Sequence, residues 1–584
     1  MKTILYERIL LMKKKLIPVL AVCGVIFLIV LTIGISILTQ KYSPGKEYAD
    51  LNEYFASEGN DDIAIVLNNE LNENKAFSID GEIYLDYQFI HDYLNPRFYW
   101  DVNENILLYT TDKELISVNA DSSSYTVAKS QTDFGKVIVK ANSESAYVAI
   151  DFIKQYTNFS YELFENPSRI VINNNFGDIY VATAKKATQL RIKGGIKSDI
   201  LKDVTKGEEL TVLETGDKWS KVASNDGFIG YVMKKKLSDS TTKTLKSDFT
   251  EETFSHILKD KEISMAWHQV TSKYANNNIA KILASTKGIN VISPTWFHLN
   301  DNEGNLADYA SKDYVDYCHK QGIEVWALFN NLDNPKVDSE KVLTHTSTRQ
   351  NLVNQIIANA IKYELDGINI DFEALNSSVG DSYIQFIREL SVKCGNNGIV
   401  LSVDNYVPSD YTAFYNRKEQ ALFADYVVIM GYDEHYAGSD AGSVASLSWV
   451  DEGVANTLES VPANQVILGM PFYTRLWEIN PKDGSEADTN DGLEYDVSST
   501  VYGMNGGQEV LDTLGKKSAW SSEAGQDYAE WKDKDTTYKI WLENEKSTEE
   551  RLKVIDKYSL AGAAYWKLGL EKKEVWDTII KYIN

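Results

Sequence analysis

The sequence predicts a multidomain chain: a transmembrane helix, an α+β repeat, a small all-β module, and a C-terminal parallel (β/α) barrel carrying a small α+β insertion. Three observations carry this. An uncharged apolar run occupies 16–38, a motif near Tyr84 recurs near Tyr147, and after residue 255 short apolar runs alternate with helical stretches at 309–321, 348–363 and 381–394. That alternation is the rhythm of a parallel barrel with crossover helices.

The N-terminal element follows from length. Residues 16–38 would make a helix of roughly 35 Å at about 1.5 Å per residue, enough to span a bilayer. Lys2, Arg8 and Lys13-Lys14-Lys15 precede it, so 1–15 is predicted to be a cytoplasmic tail and the chain from Lys41 onward to lie outside. A secretory leader would have a shorter apolar core and a small-x-small cleavage site, and neither is evident before Tyr42-Ser43-Pro44. Cys23 lies within the span behind Val22, a poor fit to a lipoprotein cleavage box.

The expected stalk, 47–178, rests on an internal repeat. Tyr84, Phe89, Ile90, Tyr93 and Asn95 recur as Tyr147, Phe152, Ile153, Tyr156 and Asn158, always 63 residues on. Each copy reads as a strand, a short helix and a hairpin, at 98–108 with Asn103 and Asn105 and at 161–172 with Asn166-Pro167. The repeat resembles the small N-terminal domain of copper amine oxidases. No copper is expected, because the repeat carries no ligand cluster. A spacer and a glycan-binding role both remain open.

From 179 to 240, short strands are divided by Gly207, Gly227 and Gly230, with Trp219 and Tyr231 among them. This stretch resembles a bacterial SH3-like wall module, which implies either binding to wall peptides or packing against a neighbour. The Ser, Thr and Lys-rich segment after it makes 241–254 the expected linker to a catalytic domain at 255–584.

Within that domain, Asp366-Gly367-Ile368-Asn369-Ile370-Asp371-Phe372-Glu373 places acids in an apolar strand. Strand side chains alternate, so Asn369, Asp371 and Glu373 share one face while Ile368, Ile370 and Phe372 pack on the other. Two carboxylates so close repel and lose water, so at least one should keep its proton near neutral pH and serve as a general acid.

This motif resembles the fourth-strand signature of glycoside hydrolase family 18, the chitinase-type hydrolases, with Asn369 where the usual form has Asp. Further segments fall in order over roughly the last 330 residues: Met430-Gly431-Tyr432-Asp433, then Gly469 through Tyr473, then Gly562 to Trp566. Runs beginning at Ile263, Val291, Glu324 and Ile399 supply strands one, two, three and five. The resemblance implies a TIM barrel, (β/α)8, and a retaining reaction in which the substrate's own 2-acetamido oxygen is the nucleophile. It implies Glu373 as acid and base, Asp371 holding the acetamido N–H, and Tyr432 donating to the acetamido carbonyl. Asp433 would line the same subsite with Asp366, Asn369 and Met430, and Trp566 would lie under the sugar. Asn369 is expected to hydrogen-bond Asp371 and, adding no charge, to lower its pKa relative to a three-acid site.

Pyranose faces stack on aromatic rings, so Trp296, Trp326, Tyr473 and Trp477 are further candidates, with core packing an equal alternative for each. His268, His298 and His435 follow predicted strands, but no metal-binding spacing joins them, so neither metal nor cofactor is expected. With 59 Lys+Arg against 84 Asp+Glu, the net charge of −25 argues against nucleic acid and against nonspecific adhesion to anionic polymers. Cys318 and Cys394, both in predicted helices, make no disulfide scaffold.

The expected function is thus a membrane-anchored, extracellular, Gram-positive-type surface glycosidase cleaving β-1,4 bonds in N-acetylglucosamine polymers, with peptidoglycan the nearest. Tyr432 to His435 and Phe472 to Trp477 resemble wall-active and spore-cortex N-acetylglucosaminidases of that family. Chitin or N-glycans are the alternative substrates, and a silent glycan-binding surface protein is the non-enzymatic alternative.

Overall fold

The computed structural model describes residues 2–57, 62–142, 145–481 and 495–583. The chain forms two compact units, 1–95 with 142–251 and 96–141 with 252–584. Residues 96–141, inside the expected stalk, therefore group with the catalytic domain.

In the first unit, the helix Lys2–Tyr42 includes the whole predicted span and is long and apolar enough to cross a membrane. Its apolar side chains are exposed. The repeat appears as a pair of antiparallel strands, Glu82–Asp86 and Ala146–Ala149, each followed by a short helical turn. Leu85 faces Val148, its own equivalent 63 residues on, which gives the two copies a local twofold relation. The hairpin of the second copy, Ser160–Phe164 with Arg169–Asn173, joins the same sheet through Asp62–Leu67.

The all-β module is a seven-stranded antiparallel arrangement around Leu190, Leu201, Val204, Leu210, Val222 and Val232. Gly230 has its reason here: a Cβ would lie 2.5 Å from the Arg191 carbonyl oxygen. Thr241–Leu245, expected as linker, instead forms an edge strand against Gly177–Thr183. Its threonines are β-branched and suit a strand with one exposed side.

In the second unit, the hairpin of the first copy, Tyr99–Asp101 with Ile106–Thr110, opens a five-stranded meander ending at Ser130–Asp133. The meander is fastened to helices Thr346–Tyr363 and Gly380–Asn397. Asp101 Oδ2 accepts from the Thr346 backbone N–H and hydroxyl, both at 2.6 Å, and Tyr99 O–H lies 2.9 Å from Ser382 Oγ. The Arg349 guanidinium sits 4.7 Å over the Tyr99 ring while its Nε donates to Glu389 at 3.1 Å.

The barrel has eight parallel strands: β1 Ile263–His268, β2 Val291–Leu299, β3 Glu324–Asn330, β4 Gly367–Asp371, β5 Val400–Tyr406, β6 Tyr426–Met430, β7 Val466–Pro471 and β8 Gly562–Trp566. Each pairs with the next, and β8 closes on β1. Between β7 and β8 lies the α+β insertion, a five-stranded antiparallel sheet with helix Met504–Leu514. Residues 482–494, within the predicted insertion loop, lie outside the described residues. The barrel interior is layered, as in other parallel barrels. At its N-terminal end Trp326 fills the space over Gly367, where a Cβ would lie 2.7 Å from the indole. At its C-terminal end the packing turns acidic.

Candidate active site

The centre of the barrel is organised by Asn369, which is wholly buried. Its Oδ1 accepts from Trp267 Nε1 at 2.9 Å and from Ser293 Oγ at 3.2 Å. An indole N–H can only donate, so the amide orientation is fixed. Its Nδ2 then points to Ser402 Oγ at 3.1 Å and Asp404 Oδ1 at 2.7 Å. The expected bond from Asn369 to Asp371 is not formed, because both amide protons are already directed to β5.

One layer nearer the mouth stand Asp371 and Asp404. Parallel pairing sets Asn369 beside Ser402 and Ile370 beside Val403, so at the next inward position Asp371 comes level with Asp404. Asp371 Oδ1 is buried with no hydrogen-bond partner. Burial, then Asp404, Glu373 and Asp333 push the Asp371 carboxyl well above the usual range. Asp404 is pushed well up by burial and by Glu373, with the Asn369 amide pulling the other way. The neutral Asn369 therefore does not leave a two-acid site: a third acid comes from β5.

Glu373 follows β4 on a main chain held from both sides. Its N–H donates to Asn331 Oδ1 and its carbonyl accepts from Asn331 Nδ2, each at 2.9 Å. Phe372 faces outward, stacked 5.4 Å from Phe386, and its carbonyl accepts from Tyr415 O–H at 3.1 Å. Burial raises the Glu373 carboxyl, a hydrogen bond from Tyr406 lowers it in part, and Asp433 raises it again. Glu373 borders two cavities. One of about 380 Å³ also touches Asp371, Asp333, Asn330, His298 and Trp566; the other, of about 320 Å³, is lined by Asn331, Asn334, Asp338 and Asn376.

Tyr432 follows β6, its ring centroid 6.3 Å from Trp267 and 6.5 Å from Trp566. Its hydroxyl is held protonated by burial and by Asp404, Asp371, Tyr473 and Glu373. Tyr473 O–H donates to Asp433, whose carboxylate also lies 3.7 Å from Arg475. Met430 is buried at the end of β6. The fold thus gathers Asp371, Glu373, Tyr432, Asp433, Tyr473 and Trp566 at one mouth.

Four candidates lie elsewhere. Asp366 precedes β4 at the opposite end of the barrel, about 17 Å along the strand from Asp371 at roughly 3.3 Å per residue. It accepts from His319 Nε2 and the Val325 N–H, each at 2.8 Å. Trp326 belongs to that same end, stacked 5.5 Å from Tyr426 and donating to Glu324. Trp296 donates to Asn276 at 2.8 Å and meets Tyr314 edge-on. Trp477, on the first strand of the insertion, donates to the Gly442 carbonyl at 2.8 Å in the segment after β6. All three indoles are fully buried and offer no face to a sugar.

The histidines have separate partners. His268 pairs with Tyr314 O–H at 2.8 Å and is pushed down to about 4 by burial and by Lys567. His298 lies 3.7 Å from Asp333, and His435 contacts the Asp440 carbonyl. Asp404, Tyr406 and Asn331 are the residues the motif alone does not supply. The β5 sequence carries the signal, since Ser402, Asp404 and Tyr406 alternate with their neighbours as Asn369, Asp371 and Glu373 do.

The pattern of "Glycosyl hydrolases family 18" matches residues 274–571, half of the chain. The chain belongs to that family. It is a family 18 glycosidase, and residues 186–238 match the bacterial SH3 domain. Among similar proteins, the glycosylase YvbX of Bacillus subtilis is 27% identical over 327 residues, covering 53% of this chain and 91% of its own length. A cortical fragment-lytic enzyme of Bacillus subtilis is 23% identical over 277 residues, covering 45% of this chain and 61% of its own. The spore cortex-lytic enzyme SleL of Bacillus cereus is a similar solved structure, 15% identical, with a TM-score of 0.49 over 59% of this chain and 79% of that one.

Proposed function

We propose that this glycosidase is held at the outer face of the cell membrane by its N-terminal helix and cleaves β-1,4 bonds after N-acetylglucosamine in peptidoglycan. The observation that carries the reading is the acid pair Asp371 and Glu373, both raised by burial, with Glu373 between two cavities and Asp371 lining one of them. A carboxyl that keeps its proton near neutral pH donates it to the leaving glycosidic oxygen, and that is the part of Glu373. Asp371, beside it with an oxygen lacking a partner, receives the acetamido N–H and balances the positive charge that develops when the acetamido oxygen attacks the anomeric carbon. Tyr432 donates to the acetamido carbonyl, and Trp566 supplies the ring under the sugar. Glu373, deprotonated after the first step, then takes a proton from the water that attacks the anomeric carbon and displaces the acetamido oxygen, so two inversions leave the configuration retained.

Three features support the location and substrate. They are the apolar helix, the bacterial SH3 domain with its wall-module character, and the likeness to enzymes named as cortex-lytic. Mass spectrometry of fragments released from purified peptidoglycan and from chitin oligomers tests it. N-acetylglucosamine at the new reducing ends of peptidoglycan fragments is the expected result. N-acetylmuramic acid there, or cleavage of chitin alone, would contradict it.

A further inference from the structure

The strand-four acid that this chain lacks has a counterpart on the neighbouring strand. We propose that Asp404 is a positioning residue of the reaction: it is the buried acid with which Asp371 shares one proton, in place of an acid at position 369. This rests on the catalytic reading of Asp371 and Glu373 given above.

The geometry is specific. Asp404 is 2% exposed and stands level with Asp371 across the β4–β5 ladder. Asn369, fixed by Trp267 and Ser293, gives an amide proton to Asp404 Oδ1. That oxygen is therefore an acceptor, and the shared proton lies between the other Asp404 oxygen and Asp371. The titratable groups facing this pair are Asp333 beyond β3, Glu373 beyond β4, Tyr432 beyond β6, Tyr415, and Tyr383 on helix Gly380–Asn397, none of them cationic. The Arg417 guanidinium reaches Tyr383, but its Nη1 and Nη2 donate to the carbonyls of Thr412 and Tyr406. Two buried carboxylates side by side without a counter-cation hold one proton and one negative charge between them. The pair thus presents a single charge to the acetamido group, while the proton it keeps stops a second charge from opposing ionisation of Glu373.

The arrangement can be reversed without losing the hydrogen bond. In Asp404→Asn the new amide can turn its oxygen to Asn369 Nδ2, so only the acid is removed. In the double variant, Asn369→Asp with Asp404→Asn, the carboxylate introduced on β4 still accepts from Trp267 and Ser293, and the amide introduced on β5 donates back to it. The test is the pH dependence of kcat and KM for N-acetylglucosamine oligomers with the detergent-solubilised full chain. Asp404→Asn is expected to lower kcat about tenfold with KM changed less than about threefold, and to move the acid limb up by about one pH unit, because the Asp371 carboxylate loses the Asp404 O–H that stabilises its charge. The double variant is expected to restore most of kcat and the position of the limb. An Asp404→Asn profile superimposable on wild type, or a double variant no better than the single one, would overturn the assignment to Asp404 and leave Glu373 and Asp371 in place. A wild-type enzyme inactive on every N-acetylglucosamine polymer would overturn the catalytic reading and this with it.

Discussion

Two groups of buried acids in the second unit differ in what stands opposite them. Around the barrel, Glu389 meets Arg349 at 3.1 Å, Glu419 meets Arg388 at 2.7 Å, and Glu543 meets Arg551 through two bonds at 2.8 and 2.9 Å. Glu543 also accepts from Gln526 Nε2 and Ser547 Oγ, so that burial, which raises it, is opposed by a full set of partners. At the mouth, the charges acting on Asp371 are Asp404, Glu373 and Asp333, all acids. A lone buried oxygen does not distinguish the settings, since Glu389 Oε2 lacks a partner just as Asp371 Oδ1 does. The counter-cation does. Acids matched to arginine hold elements together, whereas acids facing acids retain protons that a reaction can use.

Exchanging single residues separates the two roles. Glu373→Gln should reduce turnover by about 10²–10⁴-fold while the protein stays folded, because the amide has no proton to give. Arg551→Met should do the reverse, leaving turnover per folded molecule intact but costing about 3–5 kcal/mol in urea unfolding, since Glu543 would remain buried without its cation. The tryptophans extend the contrast. Trp566→Ala should raise KM for oligomers about tenfold, whereas Trp326→Ala should leave KM unchanged and lower stability, because Trp326 fills the far end of the barrel.

The smallest effect concerns pH. The Asp371 carboxyl binds its proton more tightly in the folded than in the unfolded chain, so stability falls as pH rises from about 4 toward the folded value. Asp371→Asn removes that loss. The variant should gain about 1 kcal/mol or more at pH 7, and the gain should vanish near pH 4, as thermal melts at the two pH values would show. A gain independent of pH would mean that Asp371 and Asp404 hold no proton between them.

The acidic strand of this contrast was legible in the sequence, because strand periodicity reports which residues share a face, whereas the arginine-paired acids were not. Asn369, Asp371 and Glu373 were placed on one face by alternation alone, and the 63-residue offset found strands that pair equivalent to equivalent, Leu85 against Val148. Alternation does not say which end of a strand a residue occupies or what faces it from the next one. Asp366 shares the motif but opens the strand, so it lies at the wrong end. Trp326 and Trp296 look like sugar platforms until their neighbours, Gly367 and Tyr314, are in place. Asp404 is separated from Asp371 by a whole crossover helix, and only the parallel register of β4 and β5 makes them one site. Thr241–Leu245 was hidden by composition, since threonine suits an edge strand as well as a linker.

The measurement that bears most directly on the account is hydrolysis of two matched β-1,4 oligosaccharides, one carrying the 2-acetamido group and one carrying a hydroxyl in its place. The proposed reaction draws its nucleophile from that group, so cleavage of the acetamido substrate, with retention and with loss of activity in Glu373→Gln, is the predicted result. Equal rates on both substrates would contradict it.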